Sequence, residues 1–526
     1  MQLQIPNQYK SSHIWWVLGV LVFMLFVRLA ASPIYILDEA KNAQCAREML
    51  QQNDWVVPTF NGELRTDKPV LHYYFMMIAY KIFGINEFAA RFFSALAGFL
   101  TVLITYIFTK KFINDLTAFC AALVLVASTQ FLFEFRLSVP DPYLIFFITV
   151  GLLTGFAYLQ LNKFGFLLIA AISFSMATLA KGPVALALPG LCLLIWIVWK
   201  KKWTPVFSWK LLVAIVLVAV LTLPWYLAVD KATNGAWTRG FFIDHNLNRF
   251  SDPQEGHGGF FLVTLLFVIV GLLPFTSFSG EFFKKRKLLF NQELTQFSGV
   301  VVLAFILFFS IASTRLPNYA MPCYPFVAII IGSYLSQVIS GNISLEKYPF
   351  IIVFVILTLL PVAGYFAITT EVETAHIGWI SFMLLVGALA NLLVLLKWKE
   401  WPNYKRVIGL FAAYTLFNII ALQQVYPILY RQNPVAKTIH EVLKYNKVFA
   451  YEIYNPGYNF YLPATVNRFT NVDSLQVALI KNPSAIVITR LVYADTLKRL
   501  ALHEVARHHD LFETPTTVLY VTKNRP

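Results

Sequence analysis

"VLHYYFMMIAYKIF", residues 70–83, is the stretch on which the architecture turns. It is apolar enough to enter a membrane but short for crossing one. A span needs roughly 17–25 mostly apolar residues, and a run of about 10–14 is more often re-entrant or interfacial. The rest of the chain supplies thirteen longer candidates, near 14–34, 86–109, 116–134, 141–160, 164–180, 183–200, 210–229, 259–279, 297–313, 319–339, 348–368, 376–397 and 405–424. Four basic clusters decide the case: Lys110-Lys111, Lys200-Lys201-Lys202, "KKRK" at 284–287 and "KWKEWPNYKR" at 397–406. With a cytoplasmic N-terminus and 70–83 left on the surface, all four fall in the cytoplasm; counting 70–83 as a span puts all four outside. Basic loops stay on the cytoplasmic side, so about thirteen transmembrane helices are expected.

Composition agrees. Of 526 residues, 58% are hydrophobic and 13% charged, against about 25% charge in a soluble globular chain. The fold class is a polytopic α-helical membrane protein. A net charge of +15 could signal nucleic acid, but its Lys and Arg residues sit in short loops between apolar runs, an orientation signal rather than a phosphate-binding stripe. No nucleic-acid partner is expected; membrane lipids are. Cys45, Cys120, Cys192 and Cys323 show no metal-type spacing and support neither a disulfide framework nor a zinc site. "MQLQIPNQYKSSH" carries little positive charge and the following run lacks a clear cleavage site, so the first span is read as retained.

Near residue 430 the composition changes. "NPVAKTIHEVLKY" reads as a capped amphipathic helix, while "KVFAYEIY", "SAIVITR" and "TTVLYVTK" read as short strands. Two domains are expected: a transmembrane domain over 1–429, with outer loops 35–85 and 230–258, and a small periplasmic α/β domain over 430–526.

This topology brings the unusual polar residues to one outer face. "SPIYILDEAKNAQCAREML" at 32–50 places Asp38 and Glu39 just after the first span. A helix restarting at Glu39 makes Asp38 its N-cap; cap and catalyst are compatible, and two adjacent helical side chains point about 100° apart, so the two acids should not share one role. In "NGELRTDKPVLHYYF", Asn61-Gly62 makes a turn, and Arg65, Asp67 and Lys68 follow where a membrane surface meets a phosphate-bearing head. A snorkelling Lys beside a solvated Asp is the plain alternative. Asp141 lies between two prolines at a span start, by default a cap. Lys181 in "LAKGPVALALPG" breaks an apolar run, which marks function or snorkelling. Asp244, His245, Arg249, Asp252 and His257 share the 230–258 loop without metal-type histidine spacing, and "STRLPNY" adds Arg315 and Tyr319, the latter typical of an aromatic belt. Acids, bases and cations on one face suit a lipid-phosphate substrate. A transporter instead keeps its ionisable groups near the midplane, and no nucleotide-binding loop is visible.

At "LDEAKNAQCAREMLQQNDWVVPTFNGELRTDKPVLHYYFMMIAYKIFGINEFAARFFSAL", "RLSVPDPYL", "LAKGPVALALPG" and "STRLPNYAMPCYP" the chain resembles the GT-C glycosyltransferases that use lipid-phosphosugars, above all the bacterial aminoarabinose (lipid A) transferases and the protein O-mannosyltransferase superfamily. The resemblance implies a sugar donor on undecaprenyl phosphate, used at the periplasmic face of the inner membrane, and lipid A or another envelope acceptor. It maps the catalytic acids onto Asp38 and Asp141. Donor-phosphate contacts map onto Lys68, with Arg65 beside it, and onto Lys181, Arg315 and Tyr319. A possible divalent-metal or phosphate site maps onto Asp67, where relatives carry Glu, and His257. Direct displacement would invert the anomeric centre. A protein or glycan O-glycosyltransferase is the rival within enzymes, a transporter or lipid flippase the remote one.

Overall fold

The computed structural model describes residues 9–247 and 260–522. Helices dominate up to residue 430: α1 (His13–Phe26), α2 (Leu37–Gln52), α3 (Leu71–Phe83), α4 (Glu87–Phe112), α5 (Asp115–Ala127), α6 (Thr129–Glu134), α7 (Asp141–Leu161), α8 (Phe164–Lys181), α9 (Val184–Lys200) and α10 (Trp209–Ala232) open the bundle. Among the described residues nine helices are long and apolar enough to cross a membrane, and the pair Val263–Gly271 and Phe275–Leu289, bent by 114°, makes a tenth if counted as one span. The other three expected spans are helical but shorter: α1 has 14 residues, α5 13 and α9 17. Length and composition therefore count ten at most, and the figure of thirteen remains a reading of the sequence.

Residues 70–83 form α3, 13 residues long, hence about 20 Å at 1.5 Å per residue, too short for a hydrocarbon core of about 30 Å. It packs between α2 and α4, and α2 in turn packs on the hairpin β1 (Thr59–Phe60) and β2 (Glu63–Leu64). Asn61 and Gly62 turn that hairpin with φ of 55° and 81°, the left-handed pair a tight two-residue turn demands. Glu48 on α2 fastens it, accepting from Asn61 N–H at 2.7 Å, Gly62 N–H at 3.1 Å and Thr59 Oγ1 at 2.9 Å. The basic clusters lie at helix ends away from this face: Lys202 meets Glu293 at the start of the helix Glu293–Ile311, whose far end leads into the 313–319 loop.

After Pro434–Val442 the chain builds a five-stranded sheet in the order β4-β3-β5-β7-β6, from β3 (Lys447–Tyr451), β4 (Asn467–Phe469), β5 (Ala485–Arg490), β6 (Leu502–His509) and β7 (Thr516–Thr522). β4, β3 and β5 run parallel, and β7 joins β5 and β6 antiparallel. The central β5 is buried along its whole length, as a strand covered on both faces must be. The unit rests on the site face: Arg47 donates to Phe460 O at 2.8 Å, and Tyr461 Oη donates to Glu87 at 2.9 Å. On its other flank, Glu373 accepts from Lys437 Nζ at 2.6 Å and His509 N–H at 2.9 Å and faces His508 Nδ1 at 3.2 Å, while Glu371 faces His509 Nδ1 at 2.9 Å.

Burial alone would raise the pKa of Glu373, but the hydrogen bonds from Lys437, His509 N–H and His508 outweigh it and hold the carboxyl below its ordinary value. A depressed folded-state pKa contributes stability that is present above the unfolded value and lost as pH falls through the folded one. Acidification below about pH 4 is therefore expected to loosen the C-terminal unit, read as faster proteolysis near residues 430–434. Glu373→Gln should loosen it at neutral pH and flatten the acid dependence; an unchanged cleavage profile would count against the clasp.

Candidate active site

The turn between α6 and α7 and the start of α2 are locked together by one buried ion pair. Glu39 Oε1 and Oε2 accept from Arg91 Nε at 2.7 Å and Nη2 at 2.8 Å, and Oε1 also accepts from Ser138 N–H at 3.0 Å. Arg91 Nη1 reaches back to the carbonyls of Leu29 and Ser32 at 3.0 and 2.8 Å. Both charged groups are essentially inaccessible. The acid that sequence reasoning left without a role is the structural one.

Asp38 precedes it on the same helix and is exposed. The expectation that it caps a helix starting at Glu39 is corrected: α2 starts at Leu37, Ile36 occupies the cap position, and no side chain caps it. A first-turn carboxylate still gains from the helix dipole. Among the described residues the Asp38 side chain takes part in no hydrogen bond, and its charge acts on both Arg65 and Glu134. It thus stands in the first turn of α2 within electrostatic reach of both.

Asp141 is likewise no cap. Pro140 holds that position, and Asp141, buried as the first residue of α7, accepts from Lys181 Nζ at 2.5 Å. Lys181 ends α8; its side chain is only 15% exposed, so the snorkelling alternative gives way to a buried pair. Gly182 follows with φ +93°, and a Cβ there would stand 2.6 Å from the Phe241 ring, so the chain needs glycine to leave α8 at this point. Lys181 Nζ also lies 4.9 Å from the centre of the Tyr319 ring, within cation–π range.

Lys181 and Tyr319 line a cavity of about 360 Å³ with the polar residues Asp67, Lys68, His245 and Thr314 and with the apolar Leu144, Pro183, Val184, Phe241, Phe242, Phe308, Phe309 and Ala312. Asp67 pairs with His245 Nε2 at 3.0 Å and Arg65 Nη2 at 3.2 Å. Burial opposes its charge, but the His245 hydrogen bond, Arg65 and Lys68 outweigh burial and hold the carboxyl well below the usual range. Arg65 lies one layer back: it is 5% exposed and donates to Tyr73 Oη and Asn42 Oδ1, both at 3.1 Å. Its burial opposes the charge, yet Tyr73, Asp67, Cys45 and Asp38 overcome this and raise its pKa. Arg315 is half-buried beside Thr314 and does not line the cavity.

The loop histidine that meets Asp67 is His245, which the sequence presents as simply solvated; His257, with Arg249 and Asp252, lies outside the described residues. One imidazole and one carboxylate are short of the three or four protein ligands of a zinc site. Among the described residues no group of three His, Cys, Asp or Glu could hold a metal, so the described donors do not build the metal site expected at Asp67. Glu134, at the rim of the Asp141–Lys181 pair, is the site acid that sequence reasoning passed over, because it reads as the last residue of a span.

The whole arrangement superposes on ArnT from Cupriavidus metallidurans, in a crystal structure bound to undecaprenyl phosphate, with a TM-score of 0.82 at 20% identity, covering 97% of this chain and 98% of that one. The apo state of the same protein gives 0.80. The chain has the same fold, the GT-C fold. Within it, residues 13–238 match the family described as dolichyl-phosphate-mannose-protein mannosyltransferase. Two relatives are undecaprenyl phosphate-alpha-4-amino-4-deoxy-L-arabinose arabinosyl transferases. That of Edwardsiella ictaluri is 28% identical over 340 residues, 62% of this chain and 60% of its own length. That of Yersinia pestis is 31% identical over 330 residues, 60% of this chain and 58% of its own length. The chain thus spans about 60% of the length of the curated relatives it matches.

Proposed function

We propose that the protein is an inverting glycosyltransferase that moves a sugar, aminoarabinose or a related amino sugar or hexose, from undecaprenyl phosphate to lipid A or a related envelope acceptor at the periplasmic face of the inner membrane. The observation that carries this reading is one cavity lined both by the cations Lys68 and Lys181 and by aromatic and aliphatic side chains, the combination that a phosphate joined to a polyprenyl chain requires. Negative charge grows on the bridging phosphate oxygen as the sugar–oxygen bond breaks. Fixed ammonium groups in a water-poor site favour that transition state over the ground state. Tyr319 steadies Lys181, Arg65 and His245 hold Asp67 beside Lys68, and Asp141 keeps Lys181 in place. Asp38 is free to orient the sugar or to take a proton from an acceptor hydroxyl, a step that an anionic phosphate acceptor would not need. The N-terminus is cytoplasmic and the C-terminal domain, 430–526, periplasmic, as the basic clusters at the opposite helix ends support.

The test is transfer of labelled sugar from undecaprenyl phosphate to lipid A by the reconstituted protein; absence of transfer to any lipid acceptor sinks the proposal. Lys68→Ala should raise the KM for donor about 10-fold or more, the loss of a charge-assisted contact; unchanged donor dependence would remove Lys68 from the phosphate site. The family match over 13–238 supports a second reading, transfer to a protein hydroxyl, which peptide acceptors in the same assay separate from the first.

A further inference from the structure

A second cavity, of about 580 Å³, lies between α9 and α10, over α8 and the end of α7. α9 packs on α7, α8 and Glu293–Ile311, whereas α10 packs chiefly on α8, and the space between α9 and α10 stays open. Small residues keep it so: Ala170 and Ala171 on α8, Gly190 on α9, Ala214 and Ala219 on α10. A Cβ on Gly190 would meet nothing within 4 Å. The two hydroxyls in the lining are spent, Tyr158 Oη donating to Pro205 O at 3.3 Å and Thr222 Oγ1 to Val218 O at 2.7 Å. Along α10 the lining runs from Leu211 to Leu223, about 18 Å at 1.5 Å per residue, close to the roughly 15 Å of hydrocarbon in one leaflet. We infer that this cavity holds one acyl chain of an anionic glycerophospholipid, whose phosphate is bound by the basic residues at the Leu211 end.

Charge at that end selects the occupant. Lys202 donates to Gln160 Oε1 at 2.5 Å and Lys210 to Asn162 Oδ1 at 3.4 Å, which ties both to the end of α7, next to the lining residues Tyr158 and Leu159. Lys163 and Lys201, adjacent in sequence to Asn162 and Lys202, are exposed. Residues 142–229 contain no Asp or Glu; Lys202 meets Glu293 at 3.4 Å, and that carboxylate is 45% exposed. Basic pockets between spans on the cytoplasmic side bind anionic headgroups, and on the proposed topology this is the cytoplasmic end. Trp203, Phe207 and Trp209 in the same loop are exposed, as side chains at the headgroup level are. A phosphate at the loop therefore sends its chain along α10 into the hydrocarbon. Undecaprenyl phosphate has its proposed cations elsewhere: Lys181 ends α8, and the basic loop adjoins the start of that helix, 18 residues or about 27 Å away. The site goes beyond the glycosyltransferase reading and does not require it.

The experiment titrates the purified full chain in detergent with dioleoylphosphatidylglycerol, dioleoylphosphatidylcholine and undecaprenyl phosphate, reading bound lipid by native mass spectrometry and the thermal midpoint alongside. One phosphatidylglycerol per chain should bind about 10-fold or more tighter than phosphatidylcholine and raise the midpoint. Replacing both lysines, Lys202→Gln with Lys210→Gln, should weaken phosphatidylglycerol about 10-fold or more and leave phosphatidylcholine unchanged. Gly190→Phe and Ala219→Phe, which fill the cavity from opposite walls, should each remove the tight phosphatidylglycerol site while undecaprenyl phosphate binds as in wild type. Equal affinity for the two phospholipids overturns the inference, since that is ordinary solvation by lipid. Tight phosphatidylglycerol binding that survives both filling variants also overturns it. Loss of undecaprenyl phosphate binding in those variants does so too, and assigns the cavity to the prenyl chain. Should one filling variant fail to fold, the other and the lysine pair carry the test. Because transfer is not the readout, protein that binds phosphatidylglycerol tightly but transfers no sugar overturns the proposed function and leaves this site standing.

Discussion

Asp38→Asn is expected to cut transfer by about 10²–10⁴-fold, the range for losing a positioned general base or an equivalent charge, while leaving the thermal midpoint of the protein unchanged. The two halves of this expectation have separate origins. Asp38 is exposed, and its side chain takes part in no hydrogen bond among the described residues, so its replacement by an isosteric amide removes no packing; surface changes of that kind fall within about 0.5 kcal/mol. Its charge nevertheless acts on Arg65, behind the Asp67–Lys68 end of the cavity, and on Glu134, beside Asp141 and Lys181. In the proposed reaction such an acid, held at a rigid helix start, would act on the sugar or on the acceptor. The measurement is initial-rate transfer at saturating donor, paired with a melting curve in the same detergent. Turnover within a few-fold of wild type would falsify the catalytic assignment. A fall in activity that tracks a fall in melting temperature would instead make Asp38 structural.

The adjacent acid should behave in the opposite way. Glu39→Ala leaves the Arg91 guanidinium buried without its counter-charge and strips Ser138 N–H of its acceptor. Removing one partner of a buried pair costs about 3–5 kcal/mol, because the remaining charge cannot reach water. The loss reaches the site, since Ser138 lies three residues before Asp141 in the same turn. The expected result is poor recovery of monodisperse protein and a large drop in melting temperature, with activity lost as a consequence. Glu39→Gln, which keeps an oxygen for Arg91 but not the charge, should fall between. A Glu39→Ala protein with a wild-type melting curve would show that the ion pair is dispensable and that Arg91 finds other acceptors among the 29–33 carbonyls.

Much of this architecture was legible from residue order. Each of the thirteen apolar runs contains helix, 70–83 lies short of a span as α3, and Asn61-Gly62 turns the hairpin. Asp67, Lys68, Lys181 and Tyr319, singled out in three separate segments, meet at one cavity. Other assignments were out of reach. Asp38 and Asp141 both looked like caps, and neither is. Arg65 looked like a direct phosphate ligand and lies a layer behind the cavity, spent on Tyr73, Asn42 and Asp67. His257, onto which the resemblance maps a metal or phosphate contact, lies outside the described residues, and among those described it is His245 that meets Asp67.

Sequence by itself thus determined that the chain enters a membrane, which runs are apolar enough for it, and which face collects the polar groups. Hydropathy and loop charge are local properties, matched to the solvent residue by residue. Tertiary structure alone decided which of two neighbouring acids is buried against Arg91, 52 residues away, that Asp141 meets Lys181 across 40 residues, and that Gln130 of α6 reaches the Pro317 carbonyl in the 313–319 loop. Those outcomes depend on which helices pack together and at what rotation. A hydrogen bond or ion pair forms only between groups that packing has already brought within about 3 Å, and no pattern along the chain encodes that distance.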